Sequence, residues 1–415
     1  MHVLIVNTSE RIGGAAIAAN RLMEALKANG VKARMLVRDK QTSSMTVSSI
    51  PSSWLLPLKF VWERFVIFLA NGLKKRNIFQ VDIANTGTDI TDSFEFEQAD
   101  IIHLHWVNQG FLSMKNLKKI ADSGKPVVIT MHDMWYFTGI CHYSGNCHKY
   151  EVGCNHCPLL TNGGYGKDWA QRVFEQKMDM LRGRRVAFIG CSRWISDLAQ
   201  QSVLTQGQFV MNIPNAIDTK VFRKTDKTEA RRKWNLPTEG RLILFGSQRI
   251  TDERKGFRHL AEALKIINKS GEKLSLIVLG SQSEAVKNQI PYDVYPIDYI
   301  SNEYDIVELY NAADLYVTSS LQDNLPNTIV EAMACGTPCV GFNVGGIPEM
   351  IDHKANGYVA HYKDAEDFAR GIMWCLNAEN YSRLCSAAYE KAINTYSQDV
   401  IAHKYIEVYN MMLEQ

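Results

Sequence analysis

Apolar residues fall along this chain in short, β-branched runs that alternate with longer segments of helical period. The strand-like runs of the first half are HVLIVN, VKARMLVRD, ADIIHLHW, KPVVITMHDMW, VAFIGCS and FVMNIPN. Those of the second half are RLILFGSQ, LSLIVLGS, the segment near Val294–Ile300, Asp314–Thr318 and CVGF. Helical segments lie between them. One carries apolar residues at helical spacing through Ile17, Leu22 and Leu26, and others cover Trp169–Leu181, WISDLAQQSV and NEYDIVELYNAAD. TIVEAMAC is a further helix, stopped by Gly336 as a C-cap glycine and by Pro338 after it. Strand and helix alternating through short connections predict parallel sheets of an α/β fold. TDKTEARRKWNLPTEG is polar and turn-rich and reads as a linker. With 415 residues the chain suits two domains.

One stretch departs from this alternation. Residues 54–76, WLLPLKFVWERFVIFLANGLKKR, form the most hydrophobic long segment, broken by Lys59, Glu63 and Arg64 and closed by Lys74, Lys75 and Arg76. The breaks exclude an unbroken spanning helix. The segment is expected either to lie in a membrane interface or to pack as a helix on its domain. No signal peptide is expected, because a strand follows Met1 at once.

Composition narrows the classes. Apolar content of 46% and charge of 22% are those of a globular protein, and a net charge of +2 gives no electrostatic case for nucleic acid. Nine cysteines is an odd count, and four of them, Cys141, Cys147, Cys154 and Cys157, crowd into the loop 141–158 as C-x5-C-x6-C-x2-C. This suits a reducing cytosol better than a disulfide framework. The closing C-x2-C has half-knuckle spacing, so one structural zinc is the expectation, with His142, His148 and His156 as substitute ligands. Free thiols and a redox-sensitive disulfide are the alternatives.

Candidate chemistry gathers at strand ends, where open α/β sheets bind ligands. Gly13-Gly14 forms a βα loop, and His103, His105 and His132 lie near the ends of two strands. In the second half, Arg249 and Lys255 precede a helix and can neutralise a diphosphate from side chains. Between residues 314 and 349 a strand, a polar turn and a helix N-terminus follow one another. Asp323 and Glu331 lie eight positions apart around that helix start and can accept hydrogen bonds from hydroxyls.

The 314–349 stretch resembles the donor-binding segment of the GT-B-fold retaining glycosyltransferases of family 4. Its signature there is Glu-x7-Glu, a small-residue helix, Gly-x-Pro and a Gly-Gly turn; Asp323 replaces the first Glu, and Glu331 is the second. The likeness covers nearly the whole chain, and PNAIDTKVF resembles the interdomain crossing. It implies two Rossmann-like parallel-sheet domains facing across a cleft, over residues 1–215 and 216–394, with 395–415 returning to the N-terminal domain. It also implies a nucleoside-diphosphate sugar donor, a saccharide or lipid-linked acceptor, and retention of anomeric configuration in bacterial surface-polysaccharide assembly. His132, Asp323, Arg249 and Lys255 would be catalytic, with Arg254 a rival for Arg249. Gly13, Gly14, Tyr299, Ile300, Asn327, Thr328 and Glu331 would bind the donor. No Asp-x-Asp triplet occurs, so no catalytic metal or other cofactor is expected. The expected setting is cytoplasmic, peripheral on the inner face of the membrane. The alternatives are a GT-B-type nucleotide-sugar epimerase and a non-catalytic sugar-binding relative.

Overall fold

The structure is a computed structural model that describes residues 1–51, 55–160 and 168–414. It divides into two compact units, Met1–Pro214 with Ala402–Gln415, and Asn215–Ile401.

The first unit carries a parallel sheet built from β1 (His2–Ser9), β2 (Lys32–Asp39), β3 (Val47–Ser49), β4 (Ile101–Leu104), β5 (Val127–Met131), β6 (Val186–Gly190) and β7 (Phe209–Asn212). Its order is β3-β2-β1-β4-β5-β6-β7. Residues of β4, β5 and β6 are buried throughout, as strands covered on both faces must be, and that explains their unbroken apolar runs. The second unit repeats the plan with β8 (Arg241–Arg249), β9 (Leu274–Ser281), β10 (Asp293–Ile297), β11 (Leu315–Thr318), β12 (Cys339–Phe342) and β13 (Gly357–Ala360). The order here is β10-β9-β8-β11-β12-β13. Chain direction reverses its march between β1 and β4 in one sheet and between β8 and β11 in the other. At such a switch point the loops from neighbouring strands diverge and leave a crevice at their carboxyl ends.

The helix Leu55–Ala70 inverts the usual arrangement. Glu63 and Arg64 are buried against the domain, whereas Leu58, Val61, Trp62, Phe65 and Leu69 are exposed. Glu63 Oε1 accepts from the amides of Ile83 (3.0 Å) and Ala84 (2.7 Å). Arg64 donates to the carbonyls of Ile78 and Val81 and pairs with Asp82. The charged residues Glu63 and Arg64 therefore lie on the inner face, together with the fully buried Ile67. Trp54, where that run begins, lies outside the described residues. Among the described residues, no helix is long and apolar enough to cross a membrane.

The chain's last helix, Gln398–Leu413, reaches the first unit. There the hydroxyl of Tyr409 meets His103 Nδ1 at 2.7 Å, and that of Tyr405 meets Thr130 Oγ1 at 2.8 Å.

Candidate functional site

The candidate residues fall into two sets, one in each unit, each at a switch point. In the second unit, β8 ends at Arg249 and a short turn leads through Lys255 to Gly256, where the helix Phe257–Lys269 begins. From the neighbouring β11 the chain runs through Ser319, Ser320 and Asp323 to Pro326, the cap of the helix Asn327–Ala334. These two loops are knitted together. The Leu321 amide donates to the Arg254 carbonyl (2.7 Å), and the Ser319 hydroxyl donates to the Lys255 carbonyl (3.0 Å). Gly256 has a φ of +63°, and a Cβ there would collide with the Ser319 carbonyl. A third loop, after β12, closes on the same place. Gly345 has a φ of +57° with its Cα against the Asp323 carbonyl, and the Gly346 amide donates to the Asn324 carbonyl at 2.8 Å. Only glycine suits both positions, by conformation and by room.

This knitting brings Lys255 and Asp323 together. The Lys255 ammonium lies 2.7 Å from Asp323 Oδ2, which also accepts from the Ser320 hydroxyl at 3.2 Å. Both side chains keep a partly open face. Glu331 is buried, and its Oε2 accepts from the hydroxyl of Tyr310 at 2.8 Å. Asn327 Oδ1 accepts from Asn215 Nδ2 at 2.9 Å, and Thr328 bonds the buried hydroxyl of Tyr316. Arg249 is exposed, with Nε on Gln282 Oε1 at 3.1 Å, whereas its rival Arg254 is held by Asp252 at 2.8 Å. Tyr299 is exposed and Ile300 partly so, just beyond β10.

In the first unit Gly13 caps the helix Gly14–Ala28 directly after β1. Across the switch point stands a row of histidines. His103 is gripped on both ring nitrogens, by Tyr409 and by Thr130 at 2.7 Å each. His105 Nδ1 meets His132 Nε2 at 2.9 Å, and His132 Nδ1 lies 3.5 Å from the Cys191 thiol. Burial pushes His132 down to about 4, against the opposing pull of Asp133, and holds His105 well below its ordinary value. Both imidazoles are neutral at physiological pH.

Beside them runs a chain of groups that sequence patterns do not reveal. His142 donates or accepts at both nitrogens, to Asp133 Oδ2 (2.7 Å) and Asp82 Oδ2 (2.6 Å), and Trp106 Nε1 donates to Asp133 at 2.9 Å. His142 is thereby removed from the candidate zinc ligands. His148 and His156 are exposed and bonded to Glu151 and Asn155. Asn108 is buried with neither side-chain amide atom partnered, and His105 Nε2 is likewise unpartnered. Asp82 lies 60 residues from His142. No local period could have joined them.

The profile of Glycosyltransferase Family 4 matches residues 12–221, about half of the chain, and that of glycosyl transferases group 1 matches 226–394. An uncharacterised glycosyltransferase of Methanocaldococcus jannaschii is 25% identical over 83% of this chain and 93% of its own length. The N-acetyl-alpha-D-glucosaminyl L-malate synthase of Bacillus anthracis is 26% identical over 48% of this chain and 53% of its own. The putative colanic acid biosynthesis glycosyl transferase WcaC of Escherichia coli is 24% identical, over 71% and 76% respectively. Among solved structures, sucrose-phosphate synthase from Thermosynechococcus elongatus aligns over 100% of this chain and 99% of its own, with a TM-score of 0.70 at 17% identity. Anabaena HepE in complex with UDP-glucose aligns over 99% and 100%, with a TM-score of 0.65 at 16% identity. The fold is GT-B, and the chain belongs to glycosyltransferase family 4.

Proposed function

We propose that this glycosyltransferase moves a sugar from a nucleoside-diphosphate donor to a saccharide or lipid-linked saccharide acceptor, with retention, in bacterial polysaccharide assembly. The observation that carries the reading is the Lys255–Asp323 pair, set between β8 and β11 and beside the start of the helix Asn327–Ala334. A cation and a helix N-terminus suit a diphosphate. The neighbouring carboxylates of Asp323 and Glu331 suit sugar hydroxyls. The names of the relatives support the same donor and setting: HepE is seen with UDP-glucose, and WcaC is assigned to colanic acid synthesis.

In this mechanism Lys255, with Arg249, receives the negative charge that develops as the anomeric carbon–oxygen bond to the diphosphate breaks. Asp323, freed from Lys255 by the entering phosphate, accepts from a donor hydroxyl, and Glu331 accepts from the ribose. The acceptor oxygen bonds to the anomeric carbon on the face the diphosphate leaves, and its proton passes to the departing phosphate oxygen. No protein base is then required. Neutral His132 faces the transferred sugar without bringing charge. Gly13, Gly14, Asn327, Thr328, Tyr299 and Ile300 complete the donor contacts. No catalytic metal or other cofactor is needed in this scheme.

The exposed apolar stripe of Leu58, Val61, Trp62, Phe65 and Leu69 leads to Leu73 and then to exposed Lys74, Lys75 and Arg76. That combination suits the surface of an anionic bilayer, where a lipid-linked acceptor would reside.

A thermal-shift panel of nucleotides and nucleotide sugars tests the donor. A ligand at a hundred times its dissociation constant stabilises by about 2.7 kcal/mol. The shift should need Lys255, and the anomeric configuration of the product, read by NMR, should match that of the donor. An inverted product, or a donor whose shift survives Lys255→Ala unchanged, overturns the scheme.

A further inference from the structure

The loop that follows β5 and the 3-10 turn Trp135–Phe137 closes around a cavity of about 20 Å³. All four cysteines of the loop, Cys141, Cys147, Cys154 and Cys157, line it, and none is in a disulfide. The volume admits one water-sized occupant, which excludes an organic ligand and suits a single ion.

Burial pushes the thiols of Cys141, Cys154 and Cys157 up, to about 12 for Cys141 and about 11 for Cys154, while backbone amides point at two of the sulfurs. The Gly139 amide donates to Cys154 Sγ at 3.2 Å, and the Leu159 and Leu160 amides donate to the Cys157 sulfur. Amide hydrogen bonds to sulfur favour its anionic form and fix its direction. Lys177, on the helix Trp169–Leu181, is 1% exposed and ends beneath the same loop. Its ammonium donates to the carbonyls of Thr138 (3.0 Å), Gly139 (3.1 Å) and Trp135. Among the described residues, no carboxylate lies within ion-pair distance of it. Its Nζ also lies 3.6 Å from the centroid of the Trp135 ring, and burial pushes it down to about 7. A metal–thiolate centre in the loop would supply the anion that this buried amine lacks.

We propose that Cys141, Cys147, Cys154 and Cys157 bind one structural zinc ion as a tetrathiolate, with Lys177 as its buried counter-charge. Zinc with four thiolates carries a net charge of −2, which one lysine and the amide donors offset. Among the described residues no three His, Cys, Asp or Glu side chains are grouped tightly enough to hold a metal as they stand. Four neutral thiols have no mutual attraction to draw them to one centre. Binding releases their protons and supplies that attraction. With four protein ligands no position is left open, so the ion would fasten the loop rather than take part in glycosyl transfer.

The test uses the full chain, purified without chelator and reloaded with zinc under reducing conditions. Elemental analysis should give about one zinc per chain. A strong chelator should make four additional thiols reactive, and cobalt(II) should give the visible spectrum of a tetrahedral thiolate site. Lys177→Met, checked for folding by circular dichroism, should weaken zinc by about 10-fold or more in chelator competition, as loss of a supporting group does. Lys177→Arg should restore most of it. Less than half an equivalent of zinc with no thiols protected, or a disulfide within the set in mass mapping, overturns the site. Unchanged affinity in Lys177→Met overturns the counter-charge.

Discussion

Lys255 and Asp323 form an ion pair in which both partners are partly open to water. Such a pair adds little to stability, so its removal should be felt in chemistry rather than in folding. Lys255→Ala is expected to lower kcat/KM by about 100- to 1,000-fold, the usual loss for one preorganised charged contact, with the melting temperature nearly unchanged. Asp323→Asn should reduce kcat far more than affinity for the bare nucleoside diphosphate, because the amide no longer serves a sugar hydroxyl as a charged acceptor. Equal losses in both would make Asp323 a support for Lys255 instead. Gly345 should behave in the opposite way. Alanine there takes a left-handed conformation that costs about 1–2 kcal/mol and presses on the Asp323 carbonyl. Gly345→Ala should therefore lower the melting temperature and the rate together. A variant with full stability and full turnover would show that the third loop does not hold Asp323 in place.

The helix Leu55–Ala70 shows how far an element can be read from its own sequence. Its existence follows from its apolar content, but its orientation does not. Glu63 and Arg64 interrupt the apolar run without showing which way they face, because their partners, Ile83, Ala84, Ile78, Val81 and Asp82, lie 14 to 21 residues on. Strands fared better. β1, β4, β5, β6, β8, β9 and β11 announce themselves as short apolar runs because both their faces are buried. The three-residue β3 is too short to display a period, and β13, Gly-Tyr-Val-Ala, opens on a glycine and carries no run of β-branched residues. The same limit applies at the site: Gly-Gly turns and strand ends mark where it lies, whereas the Lys255–Asp323 pairing spans 68 residues and depends on three loops at once. The inverted helix carries its own prediction. On anionic vesicles the protein should float with the lipid, and neutralising Lys74, Lys75 and Arg76 should weaken binding by about 1 kcal/mol per charge. Trp62→Ser with Phe65→Ser should abolish flotation without lowering the melting temperature, since neither side chain is needed by the core. Flotation equal to wild type in that double variant would return the stripe to an incidental surface.

Across the whole chain, the first unit is completed by residues that the sequence places last. His103 stands at the centre of its sheet, 306 residues from Tyr409, and is closed from water by Tyr405 and Tyr409. Burial holds His103 down to about 3, and His105 beside it is held well below its ordinary value for the same reason. The sign of the consequence follows directly. As pH falls below about 6.5, the unfolded chain takes up these protons while the folded chain refuses them, so stability is lost from about 6.5 down to the folded values. Each histidine contributes a slope of up to about 1.4 kcal/mol per pH unit in that window. Glu63, whose carboxyl burial raises, acts in the reverse direction near the bottom of it. Urea unfolding of the first unit between pH 7 and 4.5 should therefore weaken steeply with acid. His103→Gln should flatten the slope by about one proton, whatever it does to stability at pH 7. Deleting residues 402–415 admits water to His103 and should both destabilise the first unit and flatten the same slope, while nucleotide binding by the second unit persists. An unchanged slope in both variants would mean that the titration belongs to other groups and that the terminal helix does not seal this row of histidines.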